Sequence, residues 1–128
     1  MTGIDLLLDS NIVIGLLKNH PEAVELARRA GLMLARAGVS QITRMELLGF
    51  PALTEQEEQS TRALLSQCQV IRIDDAIEAQ AIRLRRSGSL KLPDAIIAAT
   101  ALVIRTRLLT LDQRLARVMA EQGDGDTA

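Results

Sequence analysis

Apolar positions in this chain gather into short aliphatic blocks separated by amphipathic stretches, and several blocks end on an acidic residue. Ile4 to Leu8 is an aliphatic run of the kind found in a strand buried on both faces. Asn11 to Leu17 stays apolar but contains Gly15, and it predicts a first helix. Pro21 suits the first turn of a second helix. There Val24, Ala27 and Leu34 recur near helical spacing, with Arg28, Arg29 and Arg36 on other faces. Gly38 is expected to stop that helix. Val39 to Ile42 reads as a strand, and Thr43 or Arg44 opens a helix that Pro51 ends.

Thr54 followed by Glu57 matches a helix capping box, with the helix running to about Cys68. Val70 to Ile73 is a third strand. Asp74 or Asp75 caps a helix carrying Ile77, Ala81 and Leu84, which Gly88 terminates. Pro93 starts the most apolar helix, from Asp94 to about Ile104, and its alanines favour close packing. Leu108 to Leu111 is a fourth strand, and Asp112 opens a last helix. Strands alternating with helices predict an α/β fold: a central parallel sheet of about four to five strands, covered by helices on both faces. One domain over residues 1–120 is expected, with residues 121–128, including Gly123-Asp124-Gly125-Asp126-Thr127, as a disordered tail.

Composition narrows the function. With 128 residues, 48% hydrophobic and 24% charged, the chain can bury a sizeable core. That core must be aliphatic, because Phe50 is the only aromatic residue. Platforms for stacking single-stranded bases therefore look scarce, with arginines as the substitutes. A net charge of −1 gives no bulk attraction to nucleic acid, so any phosphate binding would be local. The N-terminal apolar stretch is broken by Asp5 and Asp9 and has no basic leader, unlike a signal peptide. No apolar stretch approaches the roughly 20 residues that span a bilayer. A single cysteine, Cys68, excludes an internal disulfide and a cysteine-based zinc cluster, and a reducing cytoplasm is the expected location.

Four acids carry the candidate chemistry. Asp9 closes the first aliphatic run, Glu46 follows the second, Asp94 opens the alanine-rich helix and Asp112 closes the run Leu108-Leu109-Thr110-Leu111. In an open parallel sheet, ligands sit beyond the carboxyl ends of the strands, where these residues fall. Converging carboxylates suit a hard divalent cation, Mg²⁺ or Mn²⁺, with open positions for a phosphate oxygen and a water. The reaction class that follows is phosphodiester hydrolysis. Each acid also has a plainer reading. Asp94 and Asp112 sit in helix first turns, where a carboxylate is worth roughly 0.3–1 kcal/mol against the dipole with no chemistry involved. Glu46 alone reads as a solvated helical glutamate. Asp9 follows a buried run directly, where an unpaired carboxylate is costly, and that favours function.

These residues resemble a known family. Leu8-Asp9-Ser10-Asn11-Ile12-Val13-Ile14 resembles the opening motif of PIN-domain ribonucleases. Ser40-Gln41-Ile42-Thr43-Arg44-Met45-Glu46-Leu47 is similar to the second acidic motif of that family. Lys91-Leu92-Pro93-Asp94-Ala95-Ile96-Ile97-Ala98-Ala99-Thr100-Ala101 resembles the third, and Thr110-Leu111-Asp112 the fourth. The motifs come in family order and extend from residue 5 to about residue 115. Size and compactness look most like the VapC toxins of bacterial toxin–antitoxin pairs. The resemblance implies a single PIN-like domain and a metal-dependent endoribonuclease with Asp9, Glu46, Asp94 and Asp112 around Mg²⁺ or Mn²⁺. It also implies that Ser10, Asn11 and Thr110 orient the carboxylates or a water. A homodimer and a cognate antitoxin lying across the active site are further implications. Leu115 stands where the family commonly has phenylalanine, a change of packing rather than chemistry. Asp112, the family's least constant acid, is the least secure ligand.

Other residues weigh less. His20 reads as a surface residue, Cys68 as packing, and most arginines as solvated helix faces. Arg44, two residues before Glu46, and Lys91, near Asp94, are candidates for phosphate contact. Two rival functions remain. A catalytically silent module of the same fold would bind only a protein partner, and the complete acidic set argues against it. A phosphoacceptor signalling domain could use Asp74 after Val70-Ile71-Arg72-Ile73, but it needs a late lysine and none follows Lys91.

Overall fold

A computed structural model of the chain describes residues 3–127, and the side chains of residues 3–122. In chain order the elements are β1 (Leu6–Leu8), α1 (Ser10–Leu17), α2 (Pro21–Ala30), β2 (Ala37–Ser40), α3 (Gln41–Leu48), α4 (Glu55–Leu65), β3 (Gln69–Ile71), α5 (Asp75–Arg86), α6 (Leu92–Ile104), β4 (Arg107–Leu109) and α7 (Gln113–Thr127). Four strands form one parallel sheet in the order β3-β2-β1-β4. This is an α/β domain with four strands, the lower end of the expected range.

β1 is central, so both its faces must be covered, and its three leucines are buried throughout. Leu7 packs with Ile77, Leu84, Ile97 and Leu115 from α5, α6 and α7 on one face. Leu6 and Leu8 pack with Ile12, Val13, Leu47 and Leu65 from α1, α3 and α4 on the other. The core is aliphatic, as composition requires. Leu115 is fully buried in it, consistent with the packing role expected there. In α6, Ala95, Ala98, Ala99 and Ala101 are all buried, and α5 packs extensively against this small-residue helix.

Several boundaries differ from the sequence expectation. β2 is Ala37–Ser40 rather than Val39 to Ile42, α3 starts at Gln41 rather than Thr43 or Arg44, and β3 is Gln69–Ile71 rather than Val70 to Ile73. Two further shifts have a clear cause. α2 stops at Ala30, because Gly31 takes the left-handed conformation (φ 70°) that ends a helix, although apolar spacing continues to Leu34. Leu34–Arg36 is a separate single turn of 3-10 helix. Gly38 therefore stops no helix; it lies inside β2, where a Cβ would sit 3.2 Å from Ile4 Cδ1 and 3.3 Å from the Gln69 carbonyl. β4 closes at Leu109 rather than Leu111, because Thr110 and Leu111 turn aside into hydrogen bonds with Asp9 and Asn11. The capping box at Thr54 and Glu57 is present with both its bonds, 3.0 Å each. Over residues 121–127, expected as part of a disordered tail, the backbone continues α7, and the side chains from residue 123 onward lie outside the described ones.

Candidate active site

At the carboxyl end of β1 the chain turns directly into α1, with Asp9 as the N-cap residue. This explains how a carboxylate tolerates 5% exposure. Its Oδ1 accepts from the Ser10 backbone N–H at 2.7 Å. Its Oδ2 accepts from the Thr110 hydroxyl at 2.6 Å and from Asn11 Nδ2 at 3.2 Å. A carboxylate offers about four acceptor positions. Three are taken by these neutral donors, and one on Oδ1 remains for a further partner.

Thr110 fixes the polarity of this network. Its Oγ1 accepts from the Asp112 backbone N–H at 3.0 Å and from Asn11 Nδ2 at 3.3 Å. With both lone pairs used, its one proton goes to Asp9. Asn11 closes the ring by accepting from the Leu111 backbone N–H at 3.0 Å through Oδ1. A backbone bond from Asp9 N–H to the Leu109 carbonyl, 3.0 Å, continues the β1–β4 pairing up to the site. Ser10 reaches the other way, its hydroxyl donating to Glu46 Oε1 at 3.1 Å. Ser40, at the end of β2, caps α3 by accepting from the Ile42 N–H at 3.2 Å, and α3 then carries Glu46 outward on its exposed side. Ser10, Asn11 and Thr110 thus each hydrogen-bond a carboxylate of the set.

Asp94 sits half-buried in the first turn of α6 and makes no hydrogen bond among the described residues. Its carboxyl is held above the usual aspartate range. Burial is the largest cause, followed by the negative charges of Asp9, Asp112 and Glu46, with the Lys91 ammonium opposing them. The charges of the other three acids therefore reach Asp94. Asp112 keeps its plainer role as well, since its Oδ1 caps α7 by accepting from the N–H groups of Arg114 (2.9 Å) and Leu115 (3.2 Å). Among the described residues, none of the four acids is in an ion pair. Nor do any three acidic, histidine or cysteine side chains stand close enough together to enclose an ion as placed. Their separation is one of Coulombic range rather than ligand contact. The donor chemistry nevertheless fits a hard divalent cation: oxygen ligands only, an excess of negative charge, and one opposing lysine.

The other candidates divide clearly. Lys91 occupies the N-cap of α6, and its charge reaches Asp94. Arg44 is half-buried in α3 and makes no described contact with the acids. His20 is exposed at the start of α2. Cys68 is half-buried, its thiol pushed up by burial, with Sγ 3.7 Å from the Leu64 carbonyl. Asp74, rather than Asp75, caps α5 by accepting from the Ile77 N–H at 2.8 Å. One feature escaped sequence reading. A groove of about 510 Å³ opens beside Glu46, lined by Lys18 and Phe50 among others. The available signal was the lone aromatic residue placed four positions after an acid of the set.

The pattern of the PIN domain family matches residues 6–121. Among solved structures, a toxin–antitoxin complex from Klebsiella pneumoniae contains a chain 36% identical over 84% of this chain and 87% of its own, with a TM-score of 0.73. VapBC-1 from nontypeable Haemophilus influenzae is 26% identical, covering 92% and 94% with a TM-score of 0.69. VapBC2 from Rickettsia felis, bound to a DNA fragment from its promoter, shares the fold at 20% identity, covering 90% and 93% with a TM-score of 0.71. No curated protein matches the chain with significance.

Proposed function

The chain belongs to the PIN-domain family, and from that premise we propose that it is a metal-dependent endoribonuclease, the toxin of a toxin–antitoxin pair that arrests growth by cleaving RNA. The observation that carries this reading is the hydrogen-bonded network at the carboxyl end of β1, where Thr110, Asn11 and the Ser10 N–H hold buried Asp9 and the Ser10 hydroxyl binds Glu46. Asp94 lies within reach of their charge and of Asp112's, half-buried and opposed only by Lys91. A structural acid cluster would cost stability for no return; a cation-binding one is relieved when it is loaded.

Mg²⁺ or Mn²⁺, held by Asp9, Glu46, Asp94 and Asp112, would supply a more acidic water and a counter-charge for the phosphate. The protein's part is to hold the acids ready. Thr110, Asn11 and the Ser10 N–H fix Asp9 before any ligand arrives, and the Ser10 hydroxyl holds Glu46 toward it. Preset donors of this kind remove the cost of ordering the carboxylates at the moment of reaction. Lys91, whose charge reaches Asp94, is the residue we assign to the phosphate backbone, with Arg44 the weaker candidate.

The toxin–antitoxin complex among the related structures supports a cognate antitoxin as partner; that it lies across this site is part of the proposal. A homodimer in the cytoplasm completes the proposal; no described helix is long and apolar enough to cross a membrane. The decisive experiment incubates the purified chain with single-stranded RNA. Cleavage should require Mg²⁺ or Mn²⁺ and stop in excess EDTA. Cleavage that persists in EDTA would sink the mechanism. Expression alone should halt growth, and co-expression of a small protein from an adjacent reading frame should restore it.

A further inference from the structure

We propose that Thr43 is a positioning residue of the cation site, its buried hydroxyl being the donor that holds the Asp94 carboxylate once the site is loaded; this rests on the metal-dependent reading given above. Thr43 is fully buried in α3. Among the described residues, its Oγ1 is the one buried side-chain oxygen with no hydrogen-bond partner. Native interiors rarely leave a hydroxyl in that state, because its desolvation goes uncompensated. The other buried hydroxyls show what is missing. Thr61 donates to the Glu57 carbonyl at 2.8 Å and Thr100 to the Ile96 carbonyl at 2.7 Å, each four residues back in its own helix. Ser40 accepts from the Ile42 N–H. Four residues before Thr43 stands Val39, which belongs to β2, so no turn of helix precedes Thr43 to offer that carbonyl.

The helix fixes where this hydroxyl can turn instead. On α3, Ile42 packs with the core shared by α5, α6 and α7, and Leu47 belongs to the core on the other face of the sheet. At about 100° per residue, Thr43 and Glu46 share the arc between those two, one turn apart. Thr43 is the buried end of that arc and Glu46 the exposed end. The arc faces the carboxyl end of β1, since the Ser10 hydroxyl reaches Glu46 across it at 3.1 Å. α3 also packs against α6, whose first turn carries Asp94. Asp94 is the complementary group, a half-buried carboxylate with no hydrogen bond among the described residues. Asp9, by contrast, already takes three donors. A donor without an acceptor and an acceptor without a donor thus stand on two helices in contact. As placed, the acids do not enclose an ion among the described residues, so loading must draw them together. A carboxylate that ligates through one oxygen leaves the other for a protein donor, and that bond fixes its orientation toward the ion.

Manganese added to the purified chain reads the site without RNA. The melting temperature of the unmodified protein should rise with Mn²⁺. Thr43→Val deletes the hydroxyl and keeps the shape of the side chain. Without metal it should melt no lower than the unmodified chain, because the group it removes has no partner there. The Mn²⁺ concentration that gives half the thermal shift should rise about tenfold in Thr43→Val, and Thr43→Ser should restore it. In a crystal structure of the unmodified chain loaded with Mn²⁺, Thr43 Oγ1 should lie within hydrogen-bond distance of an Asp94 oxygen. An unaltered Mn²⁺ midpoint in Thr43→Val overturns the positioning role, as does a loss that Thr43→Ser leaves unrestored. A metal-free melting temperature well below that of the unmodified chain makes the hydroxyl an ordinary structural group and overturns it too. A Thr43 hydroxyl bonded elsewhere in the loaded structure overturns the pairing with Asp94. Failure of Mn²⁺ and Mg²⁺ alike to shift the melting of the unmodified chain overturns the metal-dependent reading itself.

Discussion

The two ends of β1 carry aspartates with opposite surroundings, separated only by three leucines. Asp5, at the amino end, is exposed and meets Arg36 through two bonds of 2.7 and 2.9 Å. That guanidinium holds its carboxyl below the usual range. Sheet register arranges the pairing: Leu6 lies opposite Ala37, so Asp5 lies beside Arg36, and their backbones also bond at 2.7 Å. Asp9, at the carboxyl end, is buried, accepts only from neutral donors and shares its space with three more acids. Parallel pairing is the cause of the contrast. It brings the strand-to-helix turns of β1 and β2 and the exit of β4 to one edge, so whatever those turns carry accumulates there. One end of the strand neutralises its charge and the other concentrates it.

Substitutions can break this contrast, beginning with the largest effect. Asp9→Asn should lower metal-dependent RNA cleavage by roughly 10³-fold, the several kcal/mol a catalytic cation supplies. Wild-type rates would remove Asp9 from the site. Thr110→Ala deletes the 2.6 Å bond that fixes Asp9 and should cost about 10- to 100-fold in metal affinity or rate. Manganese titration of cleavage checks this, and an unchanged midpoint and rate would count against the positioning role.

Asp94→Asn separates charge repulsion from capping in the metal-free protein. Because folding raises its pKa above the ordinary value of 3.8, ionised Asp94 opposes folding at neutral pH. That penalty fades as pH falls through the raised pKa toward 3.8. Asp94→Asn should therefore raise the metal-free melting temperature at pH 7 and lose this advantage on acidification. A drop at pH 7 would return Asp94 to the role of a helix-start acid. Asp5→Asn should give the smallest effect and the reverse sign. Its carboxyl is lowered, so its stabilisation is present above the ordinary aspartate pKa and lost as pH falls below it. A slight fall in melting temperature at pH 7, shrinking with added salt, is expected, with cleavage unaffected. Impaired cleavage would mean that the two ends of β1 are coupled.

Local patterns made some of this legible. Ile4 to Leu8 carried the pattern of a strand buried on both faces, which Leu6–Leu8 is, and the reciprocal spacing of Thr54 and Glu57 specified a cap that formed as read. Asp9 stood out because burial makes a carboxylate expensive. Glu46 did not: within α3 it is an ordinary exposed glutamate, and only the Ser10 hydroxyl from α1 ties it to Asp9. Helical spacing through Leu34 overran Gly31, since periodicity reports which face is apolar but not where the backbone turns left-handed. Phe50 was legible as the sole aromatic and illegible as a surface residue, because its exposure depends on how α1, α3 and α4 frame the groove.

By itself the sequence determined the alternation of strands and helices, the aliphatic core and the identity of the acids, because each follows from residue type and spacing over a few turns. Tertiary structure alone decided that the charges of Asp9, Glu46 and Asp112 reach half-buried Asp94. That outcome depends on the order β3-β2-β1-β4 and on the parallel register, which place residues about a hundred positions apart within Coulombic reach.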